Sequence, residues 1–252
     1  MTYCYDGSWH GLLTVIFESF RLKTPASNIV PTEVFQPGLF EAPITVETND
    51  AHAKRVLEGV KKKSGKKGID LIYQCFLSEQ SGIEIKINHF VRTAMYTTED
   101  VLHNYRDDSI LQLHQIKKMI GREVHRMHAF VRFQETKDGM LVALINPDFN
   151  VLPLSGNHFV KRYPALHWLI YDTKRHYGWH YDQHQSRFIT LTEKQHAYLS
   201  ADLLTNTETD YQALWQTYFK KTDIPERRNM KLHMQHVPKR YWKFLVEKWV
   251  TD

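Results

Sequence analysis

The chain has little cysteine, no long apolar run and none of the short glycine motifs that grip phosphate. Two cysteines among 252 residues, Cys4 and Cys75, make neither a disulfide framework nor a four-ligand zinc site, and they suit a reducing cytoplasm. The opening MTYCYDGSWHGLLTVIF has no basic leader, and its apolar run is broken by Asp6, Gly7 and His10. Nothing approaches the roughly 20 apolar residues of a membrane span, so a soluble, unexported, cytoplasmic protein with no membrane partner is expected. P-loop, GxSxG, HExxH and paired CxxC patterns are all missing, which removes the common nucleotide-hydrolysing, serine-hydrolase and zinc templates. Internal repeats and low-complexity tracts are missing too.

What is present is an ordinary globular composition, 42% hydrophobic and 24% charged, on a chain long enough to bury a core. The 33 Lys and Arg against 28 Asp and Glu give +5 with neutral histidines, and a pI near 9.0. That balance leans toward polyanionic partners.

TYCY reads as a short strand, Asp6-Gly7 as a turn, and Ser8 as the cap of a helix patterned on Leu12, Leu13, Ile16, Phe17 and Phe20. Pro25, Pro31, Pro37 and Pro43 forbid a helix over 23–48, and Asn49 or Asp50 caps the next one, which ends at KKKSGKKG with an exposed loop. IDLIYQCFL and GIEIKINHFV are further apolar-periodic segments. The clearest helix starts near Asp107, with Ile110, Leu113, Ile116, Ile120, Val124 and Met127 in steps of three and four. From Phe130 to Gln134 the period becomes two, a half-buried strand. MLVALI, LHWLIYD and SRFITL follow as strands, with NPDFNVLP a loop and SGNHFVKRY a short helix capped by Ser155. Helices return from Thr205, with Tyr211, Leu214, Trp215 and Phe219 on one stripe and Pro238 opening the last. The fold expected is α+β, a small mainly antiparallel sheet flanked by N-terminal and C-terminal helices. Residues 1–127 are mainly helical, 128–205 carry the sheet, and 206–252 close one compact domain.

Three constellations carry chemistry. Arg122 and Arg126, four apart on a helix, with Lys118 before them and Arg132 after, form a basic ridge able to grip adjacent phosphates; a solvated face with ion pairs is the bland alternative. HFVKRYPALHWLIYDTKRHYGWHYD interleaves Arg162, Lys174 and Arg175 with aromatic rings, the pattern that base stacking with backbone neutralisation needs, although alternate rings equally suit a core. His125, Asp148, His158 and Asp172 are candidates for acid–base work if they face one opening, each with a cap or turn role as its alternative. His176, His180 and His184 have ligand spacing, but Tyr177-Gly178-Trp179 reads as strand and turn, so neither a metal site nor a cofactor is expected.

Taken together, YDGSWHGLLTVIFE, REVHRMHAFVRF, PDFNVLPL with HFVKRY, HWLIYDTKRHYG and HVPKRYWKFL resemble a bacterial family of unknown function labelled a DNA metabolism protein. The resemblance covers nearly the whole chain. It implies partnership with a radical SAM protein assigned to DNA repair and with uracil-DNA glycosylase-like domains, to which some members are fused. It brings no catalytic residues. Clustered cysteines for an iron-sulfur centre are missing here, so radical chemistry would belong to the partner. The expectation is a DNA metabolism or repair component binding nucleic acid, most readily DNA, through Lys118, Arg122, Arg126, Arg132, Arg162, Lys174 and Arg175. Its rivals are a hydrolase or nucleotide-modifying enzyme with a His/Asp cleft, and a protein adaptor.

Overall fold

The computed structural model describes residues 1–38, 42–191, 204–222 and 229–249, and its contacts divide the chain into Met1–Gly121 and Arg122–Asp252. Residues 192–203 and 223–228, expected in the sheet-containing and C-terminal parts, lie outside the described residues.

In the first unit, β1 (Thr2–Tyr5) is buried at all four positions and leads through Asp6 and Gly7, whose φ of +76° suits glycine, into α1 (Trp9–Arg21). Ser8 caps α1 as its spacing predicts, its Oγ accepting from Gly11 N at 2.9 Å. The proline-rich connection is extended but not featureless: it contributes β2 (Asn28–Pro31) and β3 (Ile44–Thr45). Both pair in parallel with β1, in the order β2-β1-β3. The expectation of one small, mainly antiparallel sheet is therefore corrected: a second and wholly parallel sheet lies here, in a part expected to be mainly helical. For β2 the physical cause is α1, since a helical crossover returns the chain to the same end of the sheet and so fixes parallel pairing.

Asn49 caps α2 (Asp50–Phe76), accepting from Ala51 N and His52 N. Gly65, at φ +62° and ψ −169°, breaks the helical path within the expected basic stop, yet the helix resumes and buries Leu71, Ile72 and Cys75. Burial pushes the Cys75 thiol up to about 12, which leaves it inert. α3 (Ile83–Tyr96) follows, and α4 (Asp108–Phe130) carries the predicted apolar stripe, with Ile110, Leu113, Ile120 and Met127 at most 1% exposed.

In the second unit, β4 (Gln134–Glu135), β5 (Leu141–Ile145), β6 (Trp168–Asp172), β7 (Tyr177–Tyr181) and β8 (Ser186–Thr190) form one sheet in sequence order. β5 and β6 run parallel and the other pairs antiparallel, so this sheet is mixed. The parallel step again follows from a helix, α5 (Leu152–Arg162), in the connection. Three local expectations fail. Residues 130–133 are not a strand, because α4 persists to Phe130 and Arg132 folds back to donate to the Ala129 carbonyl at 2.8 Å, satisfying a helix-end acceptor. Ser155 is not a cap: Pro153 sits in the first turn of α5, and Ser155 Oγ donates to Val151 O from inside the helix. After α6 (Asn206–Thr222) and α7 (Met230–His236), Pro238 opens 3-10 turns over Lys239–Phe244 and Val246–Lys248, not a last α-helix. Tyr211 and Leu214 of the expected α6 stripe stay exposed. Among the described residues no helix is long and apolar enough to cross a membrane.

Candidate functional site

Glu123 occupies the apolar stripe of α4, between Ile120 and Met127, and its side chain is 1% exposed. A carboxylate desolvated that far needs cations and donors around it. It has them. Oε2 receives Arg240 Nη2 at 2.8 Å and Arg126 Nη1 at 3.4 Å, while Oε1 receives the backbone N–H of Asp148 at 3.0 Å. Arg240 Nη2 also reaches Asp148 Oδ2 at 2.9 Å and Tyr241 Oη at 2.9 Å, with its Cζ 4.6 Å over the Tyr241 ring. Burial opposes the charge on Arg240, but the Tyr241 oxygen, Glu123 and Asp148 outweigh it and hold its pKa above the usual arginine value. Burial, reinforced by Glu123, raises the Tyr241 hydroxyl.

The loop 146–150, NPDFN, is clamped from a second direction. Asp172 ends β6 fully buried, its Oδ1 accepting the N–H groups of Lys174 and Arg175 in the turn before β7. Its Oδ2 holds Arg175 Nη1 at 2.9 Å. Arg175 in turn donates to the carbonyls of Pro147 (3.2 Å) and Asp148 (3.0 Å), Lys174 Nζ donates to the Asp148 carbonyl at 3.2 Å, and the Tyr177 hydroxyl bonds Asn150 Oδ1. Three cations, Arg126, Arg175 and Arg240, thus meet three carboxylates, Glu123, Asp148 and Asp172, around one short loop, and the exposed Lys174 adds a bond to the Asp148 backbone carbonyl.

Of the four acid–base candidates, Asp148 and Asp172 share this network through Arg175, which bonds the Asp172 carboxylate and the Asp148 carbonyl. His158 lies elsewhere in the same unit, stacked on His128 with ring centroids 3.9 Å apart and planes at 14°. Among the described residues no hydrogen bond joins any two of His125, Asp148, His158 and Asp172. Burial, then the nearby His158 and His125, lower the pKa of His128, whose buried Nε2 has no hydrogen-bond partner among the described residues. A second histidine pair, His167 and His180, is joined Nε2 to Nε2 at 2.7 Å, too close for two ligands on one ion and right for a hydrogen bond. Among the described residues no three His, Cys, Asp or Glu side chains are grouped to hold a metal.

Residues 81–247, about two thirds of the chain, match a family described as Domain of unknown function (DUF4130). The chain belongs to the DUF4130 family. No curated protein and no solved structure matches it. The whole network around Glu123 and the NPDFN loop lies inside the DUF4130 segment, whereas the parallel sheet and α2 precede it.

The basic residues of the expected ridge and aromatic segment fall into two sets. Arg126, Arg132 and Arg175 are each bonded to a buried carboxylate: Glu123, Glu247 (3.0 Å) and Asp172. Arg122, Lys161, Arg162 and Lys174 are exposed and have no carboxylate partner among the described residues; Lys118 is likewise exposed, in the first unit. The aromatic rings expected to stack bases are largely core instead: Phe159, Trp168, Tyr171 and Tyr181 are at most 6% exposed, with Trp168 packed on Tyr181 at 5.4 Å. Sequence reading passed over Glu123, His128, Arg240, Tyr241 and Glu247 as site residues. Glu123 did leave a signal, an acid placed by 116, 120, 123 and 127 on the buried side of a helix.

Proposed function

We propose that the protein is a cytoplasmic nucleic-acid-handling component of DNA metabolism or repair, acting beside a radical SAM or uracil-DNA glycosylase-like partner. The observation that carries the reading is that Arg122, Lys161, Arg162 and Lys174 are exposed and free of carboxylates among the described residues, on a unit where Arg126, Arg132, Arg175 and Arg240 are each bonded to one. Exposed, uncompensated cations are the groups that exchange counterions for phosphates. The overall excess of basic residues and the likeness to a DNA metabolism family support it further, as do two buried cysteines outside any disulfide for a reducing compartment. In this reading Arg126, Arg132 and Arg175 hold the frame and do not touch phosphate.

Binding of labelled single- and double-stranded oligonucleotides across a salt series tests it. Four phosphate contacts give a slope of log affinity on log salt of about −3.6 on duplex and about −2.8 on single strands. A slope near zero overturns the proposal, and so does a slope unchanged in the Arg122→Ala, Arg162→Ala double variant.

A second reading, a hydrolase or nucleotide-modifying enzyme, has one observation in its favour: the stacked His128–His158 pair, in which His128 is biased toward the neutral form that a general base needs. It would work through His128, His158 and His125, with Asp148 and Asp172 positioning the loop. Turnover of nucleotides or damaged-base oligonucleotides that survives His128→Gln and His158→Gln unchanged rules it out.

A further inference from the structure

α6 rests on the rest of its unit by its polar side. Gln216 Nε2 donates to the Val246 carbonyl at 3.2 Å, Trp215 Nε1 donates to Glu247 Oε2 at 3.2 Å, and Glu208 Oε2 accepts the backbone N–H of Glu135 at 3.2 Å. The apolar side faces outward. Tyr211, Leu214, Trp215 and Tyr218, at i, i+3, i+4 and i+7, form one stripe about 10 Å long. They are between 43% and 67% exposed, and the Trp215 and Tyr218 rings are stacked with centroids 5.5 Å apart. An ordinary surface helix is the other way round, with its apolar stripe turned to the core. Three large rings and a leucine grouped in water mark a surface that a partner covers.

The charges beside the stripe identify the partner. Asp210 and Lys221 are both exposed, and neither has an ion-pair partner among the described residues. At 3.6 residues per turn they fall within about 20° of each other around the helix, on one flank of the stripe, the acid at its start and the base at its end. A twofold axis passing between Leu214 and Trp215 lays a second α6 antiparallel on the first, with Tyr211 against the partner's Tyr218 and Leu214 against the partner's Trp215. Such an axis keeps each flank on its own side. Asp210 therefore comes opposite the partner's Lys221, offset by about 3 Å along the helix and within a lysine's reach.

We propose that α6 is a self-association surface that pairs antiparallel with α6 of a second copy of this chain. The stripe packs against itself, and two pairs of Asp210 with the partner's Lys221 close its rim. Parallel pairing is disfavoured, since it gathers Glu208 and Asp210 of both copies at one end. A nucleic-acid strand fits less well: Leu214 offers no ring for a base, and Asp210 would face phosphate. Each copy contributes about two helical turns, so the contact is at the small end of interfaces and the dimer dissociates in the micromolar range. None of the cations assigned to phosphate above lies on α6, and the proposal does not depend on them.

The test is sedimentation velocity on the full chain at low salt, over a concentration series spanning the micromolar range. The average mass rises from the 29.9 kDa monomer toward twice that value. Leu214→Glu, a change at an exposed position, keeps the chain monomeric at every concentration with its circular dichroism unchanged. Lys221→Asp sets acid against acid at both rims and weakens the dimer about tenfold, and adding Asp210→Lys restores it. A monomer at every concentration overturns the proposal and leaves the stripe to a different occupant. A dimer that persists in Leu214→Glu overturns it as well, and so does a double variant no tighter than Lys221→Asp alone.

Discussion

Glu123 and Arg240, 117 residues apart in sequence, meet at 2.8 Å with the glutamate buried. The contact fastens the turn Lys239–Phe244 to α4, and through the Asp148 N–H it fastens the NPDFN loop as well. A charge this far from water is tolerated only while its partners stay in place.

Removing one partner should therefore be expensive. Glu123→Gln leaves Arg126 and Arg240 facing a neutral group and is expected to cost about 3–5 kcal/mol, the usual penalty for breaking a buried pair. Glu123→Leu combined with Arg240→Met should lose clearly less than the two single changes added together. Urea denaturation of the four proteins supplies the comparison, and strict additivity would mean the pair does not act as a unit.

Packing of α5 on β7 makes a second prediction. A Cβ on Gly156 would lie 2.6 Å from Trp179 Cδ2, in the body of an indole that cannot swing aside as a flexible chain end would. Gly156→Ala improves helix propensity yet should destabilise by about 1–3 kcal/mol, because overpacking outweighs the backbone gain. A rise in melting temperature would show that Trp179 has room to move.

Histidine burial sets a pH dependence. The folded-state pKa of His128 lies below its ordinary value of 6.5, through burial first and then through His158 and His125. Below 6.5 the unfolded chain takes up a proton that the native state refuses, so unfolding becomes easier as pH falls, and the contribution is fully retained above 6.5. His180 and His233 are shifted in the same direction. His128→Leu should flatten the loss of stability between pH 6.5 and its folded value relative to the parent chain; parallel curves would assign the titration elsewhere.

How much of this was legible depended on whether the signal was local. The stripe of α4, the Ser8 and Asn49 caps and the strands MLVALI, WLIYD and SRFIT follow from spacing within a few residues. Strand direction did not, because β1 and β5 look alike whether their partners run parallel or antiparallel; the helices α1 and α5 that decide the matter had to be read as crossovers. The end of α4 is hidden in the sequence because Phe130 to Gln134 alternates as a strand would, and only the folding back of Arg132 onto Ala129 O shows why the chain ends a helix there. Charge pairing was least legible. Nothing in the spacing of Arg132 or Arg126 tells that Glu247 and Glu123 will claim them, since a charge run reads the same with or without a distant acid.

That division of the arginines yields the prediction that separates frame from surface. Arg132 Nη2 is bonded to Glu247 Oε1 at 3.0 Å, and Glu247 Oε2 accepts from Trp215 Nε1 at 3.2 Å, so the guanidinium braces the turn after Leu245 and α6 together. Arg122, one residue before Glu123, is exposed and braces nothing among the described residues. Arg132→Ala should lower stability by several kcal/mol, as expected when a buried carboxylate loses its cation, and leave the salt slope of DNA binding where it was. Arg122→Ala should do the reverse, leaving the denaturation midpoint within experimental scatter while making the slope shallower by about 0.9 on duplex and about 0.7 on single strands. Measuring both quantities on both variants distinguishes the roles. If Arg132→Ala flattened the slope at unchanged stability, the ion pair with Glu247 would yield to phosphate, and the cations assigned to the frame would have to be returned to the binding surface.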